Sequence, residues 1–331
     1  MAKLFENQAR QYADSRPTYP SQLFRFVASS TPSHHLAWDV GTGNGQAAQS
    51  LAEIYQNVIG TDTSEKQLEF AVKLPNVRYK HTPSTLSMME LEQTVAPAGT
   101  VDVLTVAQAL HWFDLPIFYR QVKWLLKKSH GVIAAWGYNV PRVTDDVDKV
   151  FDELYEVKLR PYWDPRLAMW EDNYRNIDFP FEPVAGADDT GPIEYVMEKE
   201  MDLGAYLRYV TSVSPYQTAK EKGAGVPWED YIERLKSAWI EDGSHTKVAR
   251  TWSISFSKLI EEEPVGAVAS FTIFCHCKTL CLISFPFSPS INSLMTLSTT
   301  SLFTFLSIST PMPHSTQAYL QLVCWSPKKG Q

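Results

Sequence analysis

The sequence predicts an α/β fold built on a parallel sheet with helices on both faces. Short apolar runs alternate with amphipathic stretches between residues 36 and 138, a glycine-rich turn follows the first run, and an acid closes the second. The 331 residues are 44% hydrophobic, enough to bury a large core. With 37 acids against 30 bases the net charge is −7, which argues against non-specific binding to nucleic acid or an anionic membrane.

Leu4, Phe5, Ala9 and Tyr12 share one face of a short helix over residues 3–12. The segment Ser15-Arg16-Pro17-Thr18-Tyr19-Pro20 ends it, because proline disfavours helix at its own position and at the one before. A second helix is expected over Ser21–Ser29, with Leu23, Phe24 and Val27 inward. Strands are expected at Leu36–Gly41, Asn57–Thr61, Val77–Lys80, Val101–Ala107 and Gly131–Tyr138. The fourth is almost wholly apolar, as a strand covered on both faces should be. Helices fall between them at Gln46–Gln56, after Ser64-Glu65-Lys66-Gln67 with its capping-box spacing, and at Pro116–Leu126.

Past Val140 the alternation stops. Thr144–Leu159 reads as a helix and Arg160–Pro183, rich in Trp, Tyr and Pro, as an irregular insertion. Ile193–Met201 reads as a strand, Leu203–Val210 and Trp228–Trp239 as helices, and Val248–Phe256 as the last strand. Residues 264–331 differ in kind: they hold no Asp, Glu or Arg, three Lys, nineteen Ser or Thr and all four cysteines. The front part is therefore left with 27 bases against 37 acids. The spacing Cys275-x-Cys277-x-x-x-Cys281 does not make a zinc site, and His276, Lys278 and Pro286 interrupt the apolar run that would otherwise suggest a membrane span. The stretch reads as a poorly ordered tail outside the fold, so the last strand before it is expected to be built imperfectly, from Thr251–Phe256. Losing part of that strand would expose a sheet edge. The first ten residues have no apolar run of signal-peptide length, which points to a cytoplasmic protein.

The chemistry lies in Trp38-Asp39-Val40-Gly41-Thr42-Gly43-Asn44-Gly45-Gln46, a strand running through three alternate glycines into a helix. Glycines let the backbone turn sharply and let a ligand approach closely, and the helix start beyond offers unpaired N–H groups. Dinucleotide sites want G-x-G-x-x-G, and here the third glycine comes one position early. S-adenosylmethionine, which has a ribose but no pyrophosphate, fits better. Asp62, ending the second strand 17 residues after Gly45, stands where it can accept the ribose hydroxyls. Taken singly, Asp39 could serve only to tie the turn and Asp62 only to cap the next helix.

These residues, with Tyr12-x-x-x-Arg16-Pro17-x-Tyr19-Pro20, Gly60-Thr61-Asp62 and Val106-Ala107-Gln108-Ala109-Leu110-His111-Trp112-Phe113, resemble class I S-adenosylmethionine-dependent methyltransferases of the methyltransferase-11 type. The branch is similar to the trans-aconitate and embryo-abundant-protein-like methyltransferases. The resemblance spans roughly residues 4–250 and implies a seven-stranded Rossmann-like sheet. It divides the chain into a helical lid over 1–32, a cofactor core over 33–140, a substrate-capping region completing the sheet over 141–260, and the tail over 261–331.

It also implies residue roles. Asp39, Gly41, Gly43 and Gly45 would surround the methionine part of the cofactor, Asp62 the ribose, and Thr82 and Ser84 the adenine. Gln108 and His111 would stand beside the sulfonium and the acceptor. Tyr12, Arg16 and Tyr19 would belong to the lid, with Trp112 nearby. His111 is placed in the active site, as a base toward a hydroxyl, as a positive partner for a carboxylate, or satisfied by backbone; a carboxylate acceptor needs no base but cations, for which Arg16, Arg160 and Arg166 are available. No Asn/Asp-Pro-Pro-Tyr clamp follows the fourth strand, and residues 1–263 hold no cysteine, so methylation of nucleic-acid bases is disfavoured. The expectation is methyl transfer to a small molecule, at the oxygen of a carboxylate or hydroxyl. The rivals are a non-catalytic protein of the same fold and a nicotinamide-dependent reductase.

Overall fold

Trp38 and Val40 of strand β1 (Leu36–Val40) face one side of the sheet and Ala37 the other, and the same period of two recurs in its neighbours. Ile59, Leu104, Val106, Ile133 and Ala135 join the first face, while Val58, Val103, Val132, Ala134 and Trp136 join the second. Each face therefore carries its own apolar layer, which helices must cover. The computed structural model describes residues 18–128, 130–184, 192–240 and 243–259, and four strands beyond them.

The helix α1 (Ser21–Ser29) buries Leu23, Phe24 and Val27, as expected. After β1, Gly45 in the left-handed region starts α2 (Gln46–Ala52). This helix stops short of the expected Gln56: Ile54 and Tyr55 turn back on Leu51, and the Gln56 N–H donates to His34, which leads the chain into β2 (Asn57–Asp62). There follow α3 (Glu65–Glu69), β3 (Val77–His81), α4 (Met88–Thr94), β4 (Val103–Ala107), α5 (Leu115–Leu125) and β5 (Val132–Tyr138). Pairings β3–β2, β2–β1, β1–β4 and β4–β5 are all parallel. The chain moves outward from β1 to β3, then returns to β4 on the other side of β1, so the sheet reverses direction between β1 and β4.

Beyond β5 come α6 (Asp145–Asp152), capped by Thr144 and continued by a π-helical turn over Glu153–Lys158, then α7 (Leu167–Glu171). They are followed by β6 (Glu182–Pro183), β7 (Ile193–Asp202), α8 (Leu203–Thr211), α9 (Ser214–Glu221), α10 (Trp228–Ile240) and β8 (Thr246–Leu259). These helices enclose a separate apolar cluster centred on Phe151, Tyr206, Tyr231 and Trp239.

Two expectations about the sheet are corrected. The expected seven-stranded sheet is instead a sheet of five parallel strands to which antiparallel pairing through β8 adds three more. The reason is the length of β8: its 14 residues hold β7 along Thr246–Ser255 and β6 along Lys258–Leu259, end to end on one edge. The last strand is also not shortened, since it pairs with all seven residues of β5, from Val132 opposite Leu259 to Tyr138 opposite Ser253.

The described residues fall into two compact units, 1–261 and 262–331. In the second, β9 (Ala269–Ile273) pairs with β10 (Cys281–Phe285), and β11 (Met295–Thr300) with β12 (Phe303–Ile308). The expected helix over 3–12 and the residues Cys275, Cys277 and Cys324 lie outside the described residues. Among the described residues no helix is long and apolar enough to cross a membrane, and no group of three or more His, Cys, Asp or Glu gathers to hold a metal.

Candidate functional site

The carboxyl ends of β1, β2, β3 and β4 border a cavity of about 650 Å³ at the point where the strand order reverses. Open α/β sheets bind ligands there. Gly41 and Gly43, with φ of 67° and 56°, form its floor. A side chain built on Gly43 would enter space that within 4 Å holds only the Gln67 Oε1, at 4.0 Å. Gly45, with φ of 82°, lies away from the lining, and a Cβ there would collide with the Tyr79 hydroxyl.

Asp39 lies beneath the turn rather than in the lining. It is fully buried; its Oδ2 accepts from Thr42 Oγ1 at 2.5 Å and its Oδ1 from Thr105 Oγ1 at 2.7 Å. Burial pushes its carboxyl up to about 6, against the pull of those two hydrogen bonds. Asp62 lines the cavity, taking the Gly43 N–H on Oδ2 and the Ser64 N–H on Oδ1, both at 2.8 Å. It thus ties the end of β2 to the glycine turn of β1. Burial raises its pKa, while those N–H groups pull it down. Thr82, buried, and Ser84, exposed, line the same cavity with His81 and Pro83, and the Thr82 N–H donates to the Asp62 carbonyl at 2.9 Å.

At the end of β4 the backbone of Gln108 enters the left-handed region, φ 56°, which is unusual for a residue with a side chain. Its Nε2 donates to the Tyr138 carbonyl at 2.8 Å, and its buried Oε1 meets no partner among the described residues. Gln108 and Trp112 line both the large cavity and a smaller one of about 70 Å³. His111 lines only the smaller one. Its Nδ1 lies 2.7 Å from the Tyr174 hydroxyl, and burial, helped by the nearby Arg166 charge, pushes its pKa down to about 3. The ring is neutral at physiological pH, so it cannot act as a cation toward a carboxylate.

The three arginines considered from sequence part company. Arg166 reaches the large cavity, ion-paired to Asp164 at 2.6 Å with its guanidinium 4.8 Å from the centre of the Trp112 ring. Arg160 lies outside both linings, paired to Glu171 and stacked over Trp163. Tyr12 and Arg16 fall outside the described residues. Tyr19 is outside both linings too and packs edge-on against Trp136 of β5, 5.5 Å between ring centres, with Tyr138 at 6.1 Å.

Sequence reasoning missed three residues of this region. Gln67 was read as closing a capping box, but the Ser64 N–H goes to Asp62 instead, which leaves the Gln67 side chain buried in the cavity wall with Oε1 unpaired. Tyr174 and Trp170 sit in the stretch read as irregular; Tyr174 holds His111, and the Trp170 Nε1 donates to the Tyr138 carbonyl at 3.0 Å. The abundance of aromatic residues there was the one signal that could have found them.

Residues 38–134 match the methyltransferase domain family. The chain is 34% identical over 216 residues to a protein of Dictyostelium discoideum named as a methyltransferase, covering 64% of this chain and 77% of that one. It is 30% identical over 305 residues to methyltransferase pgmE of Aspergillus terreus, covering 73% of this chain and 90% of that one. A solved structure reported as a type II methyltransferase from Anaeromyxobacter dehalogenans superposes with a TM-score of 0.61 at 30% identity, covering 75% of this chain and 99% of that one. With its glycine turn, its acid on β2 and its sheet reversal in place, the chain belongs to the class I S-adenosylmethionine-dependent methyltransferases.

Proposed function

We propose that the protein methylates a small-molecule acceptor at oxygen, with the large cavity holding the cofactor and the smaller one adjoining the acceptor. The observation that carries this reading is the pair of acceptors, half-buried Asp62 and buried Gln67, in the wall beside the open floor at Gly43. A carboxylate has roughly four lone-pair sites, so Asp62 can hold its two backbone N–H groups and still accept two ribose hydroxyls. The Gln67 Oε1 is one more acceptor for a donor on the same ligand. Leaving it unpaired is costly, and its place in the cavity wall lets a bound ligand supply the missing donor.

Bound there, the cofactor supplies a methyl group on a positively charged sulfur. The chain's own part is placement and exclusion of water. Gly41 and Gly43 let the ligand lie against the backbone, Thr82 and Ser84 flank the adenine end, and Gly45 and Asp39 shape the turn from outside and below. Gln108 and His111 stand at the acceptor end, and Trp112, with the Arg166 guanidinium over its ring, forms wall shared by the two cavities. The assignment of Tyr12, Arg16 and Tyr19 to a lid rests on the sequence resemblance.

The Arg16-Pro17-x-Tyr19-Pro20 and Gln108-Ala109-Leu110-His111-Trp112 blocks support a place in the branch similar to trans-aconitate and embryo-abundant-protein-like methyltransferases. Calorimetry with S-adenosylhomocysteine tests the cofactor half of the reading, and a tritiated-methyl assay over carboxylic and phenolic metabolites tests the transfer. Absence of heat from folded protein would refute the whole reading.

A further inference from the structure

The smaller cavity reads differently from the larger. Its walls mix aromatic and aliphatic side chains with uncharged polar ones, Trp112, Tyr155, Trp170 and Tyr209 among them, and none of its lining residues is Asp, Glu, Lys or Arg. The lining residues that carry polar groups are His111 with its neutral ring, Gln108, Ser214, the indoles Trp112 and Trp170 and the phenols Tyr155 and Tyr209, all of them uncharged. Gln108 is fixed by chemistry, because the Tyr138 carbonyl can only accept, so the amide nitrogen must face it and the oxygen is left over. That oxygen is an acceptor, as a carboxylate is, and two acceptors repel.

The nearest candidate cation gives no relief. Arg166 lines the neighbouring cavity but already has the Asp164 carboxylate against it, and a second anion would compete with that pair. Arg160 is held by Glu171 and Glu156. Burying an anion among aromatic rings without a partner charge is strongly unfavourable, whereas a neutral ring gains from the same burial.

Resting on the methyl-transfer reading above, we infer that the smaller cavity receives the acceptor and selects an uncharged, hydroxyl-bearing aromatic or otherwise flat apolar molecule over a carboxylate. At about 70 Å³ the cavity takes part of such a ring, and the shared walls of Gln108 and Trp112 leave the remainder beside the large cavity. The bound hydroxyl has both a donor to offer and an acceptor to be met, which matches an amide oxygen and a neutral imidazole.

The test uses the full chain saturated with S-adenosylhomocysteine and measures binding of phenol and of benzoate at pH 7 by ligand-observed magnetic resonance. Phenol is expected to bind at least tenfold more tightly than benzoate. In Val213→Phe, which fills the cavity, phenol binding is expected to drop at least fivefold while homocysteine-adduct affinity stays within twofold. Equal or tighter binding of benzoate overturns the inference, as does failure of phenol to bind a protein that does bind S-adenosylhomocysteine. The comparison on the unaltered chain stands even where Val213→Phe fails to fold. Failure of the unaltered chain to bind S-adenosylhomocysteine overturns the methyl-transfer reading instead.

Discussion

Asp39 and Asp62 show how one residue type takes two tasks in neighbouring strands. Asp39 is fully buried and spends both oxygens on Thr42 and Thr105, whereas the half-buried Asp62 spends its own on backbone N–H groups at the edge of the cavity. Asp62→Ala should weaken S-adenosylhomocysteine binding by about 1.5–3 kcal/mol, roughly ten- to hundredfold in Kd. His111→Ala should spare that binding and lower turnover, because His111 lines only the smaller cavity. Calorimetry on both variants checks this, and equal severe loss of binding would show that the division is wrong. Asp39 has a pH signature. Its folded pKa of about 6 exceeds the ordinary 3.8, so the native state holds its proton more tightly than the unfolded chain. Stability is therefore fully present below the ordinary value and lost as pH rises through about 6, by on the order of 3 kcal/mol. In denaturant titrations between pH 4 and 7, Asp39→Asn should flatten that slope, and an unchanged slope would contradict the assignment.

The glycine turn is the element whose shape the sequence announced and whose individual roles it did not. Gly45→Ala places a Cβ against the Tyr79 hydroxyl at a φ of 82°, so it should destabilise the protein by about 1–3 kcal/mol. Gly99→Ala is the control: its φ is 67° but nothing lies within 4 Å, so only the backbone strain of about 1–2 kcal/mol remains. Urea unfolding of the two variants should rank them in that order. Alternation of apolar runs located β1 to β5 within a residue or two, since a buried strand needs little but apolar side chains. Helices were less legible. The α4 segment, with its Ser87–Glu90 capping box, and α9, which starts at a Ser-Pro pair, were passed over because their apolar faces are narrow. The fate of Gln67 was hidden for another reason: a capping box and a site residue share one spacing, and the competing bond from Ser64 to Asp62 decides between them.

For the molecule as a whole, the unit over residues 1–261 contains the full eight-stranded sheet and both cavities. A chain ended after Glu261 should fold and bind S-adenosylhomocysteine within about twofold of the full chain, since β8 completes its pairing with β5 by Leu259. Loss of binding in the folded, shortened chain would tie the last seventy residues to the site. By itself the sequence determined the five parallel strands, the glycine turn, the acid that follows it and the kind of cofactor they suit, because each depends on residues close in the chain with local rules. Tertiary structure alone decided that Asp39 works below the turn, that His111 is neutral against Tyr174, that Gln67 faces the cavity, and that Arg166 rather than Arg160 reaches it. Those outcomes depend on burial and on partners up to 66 residues away, as between Asp39 and Thr105, and no local pattern records them.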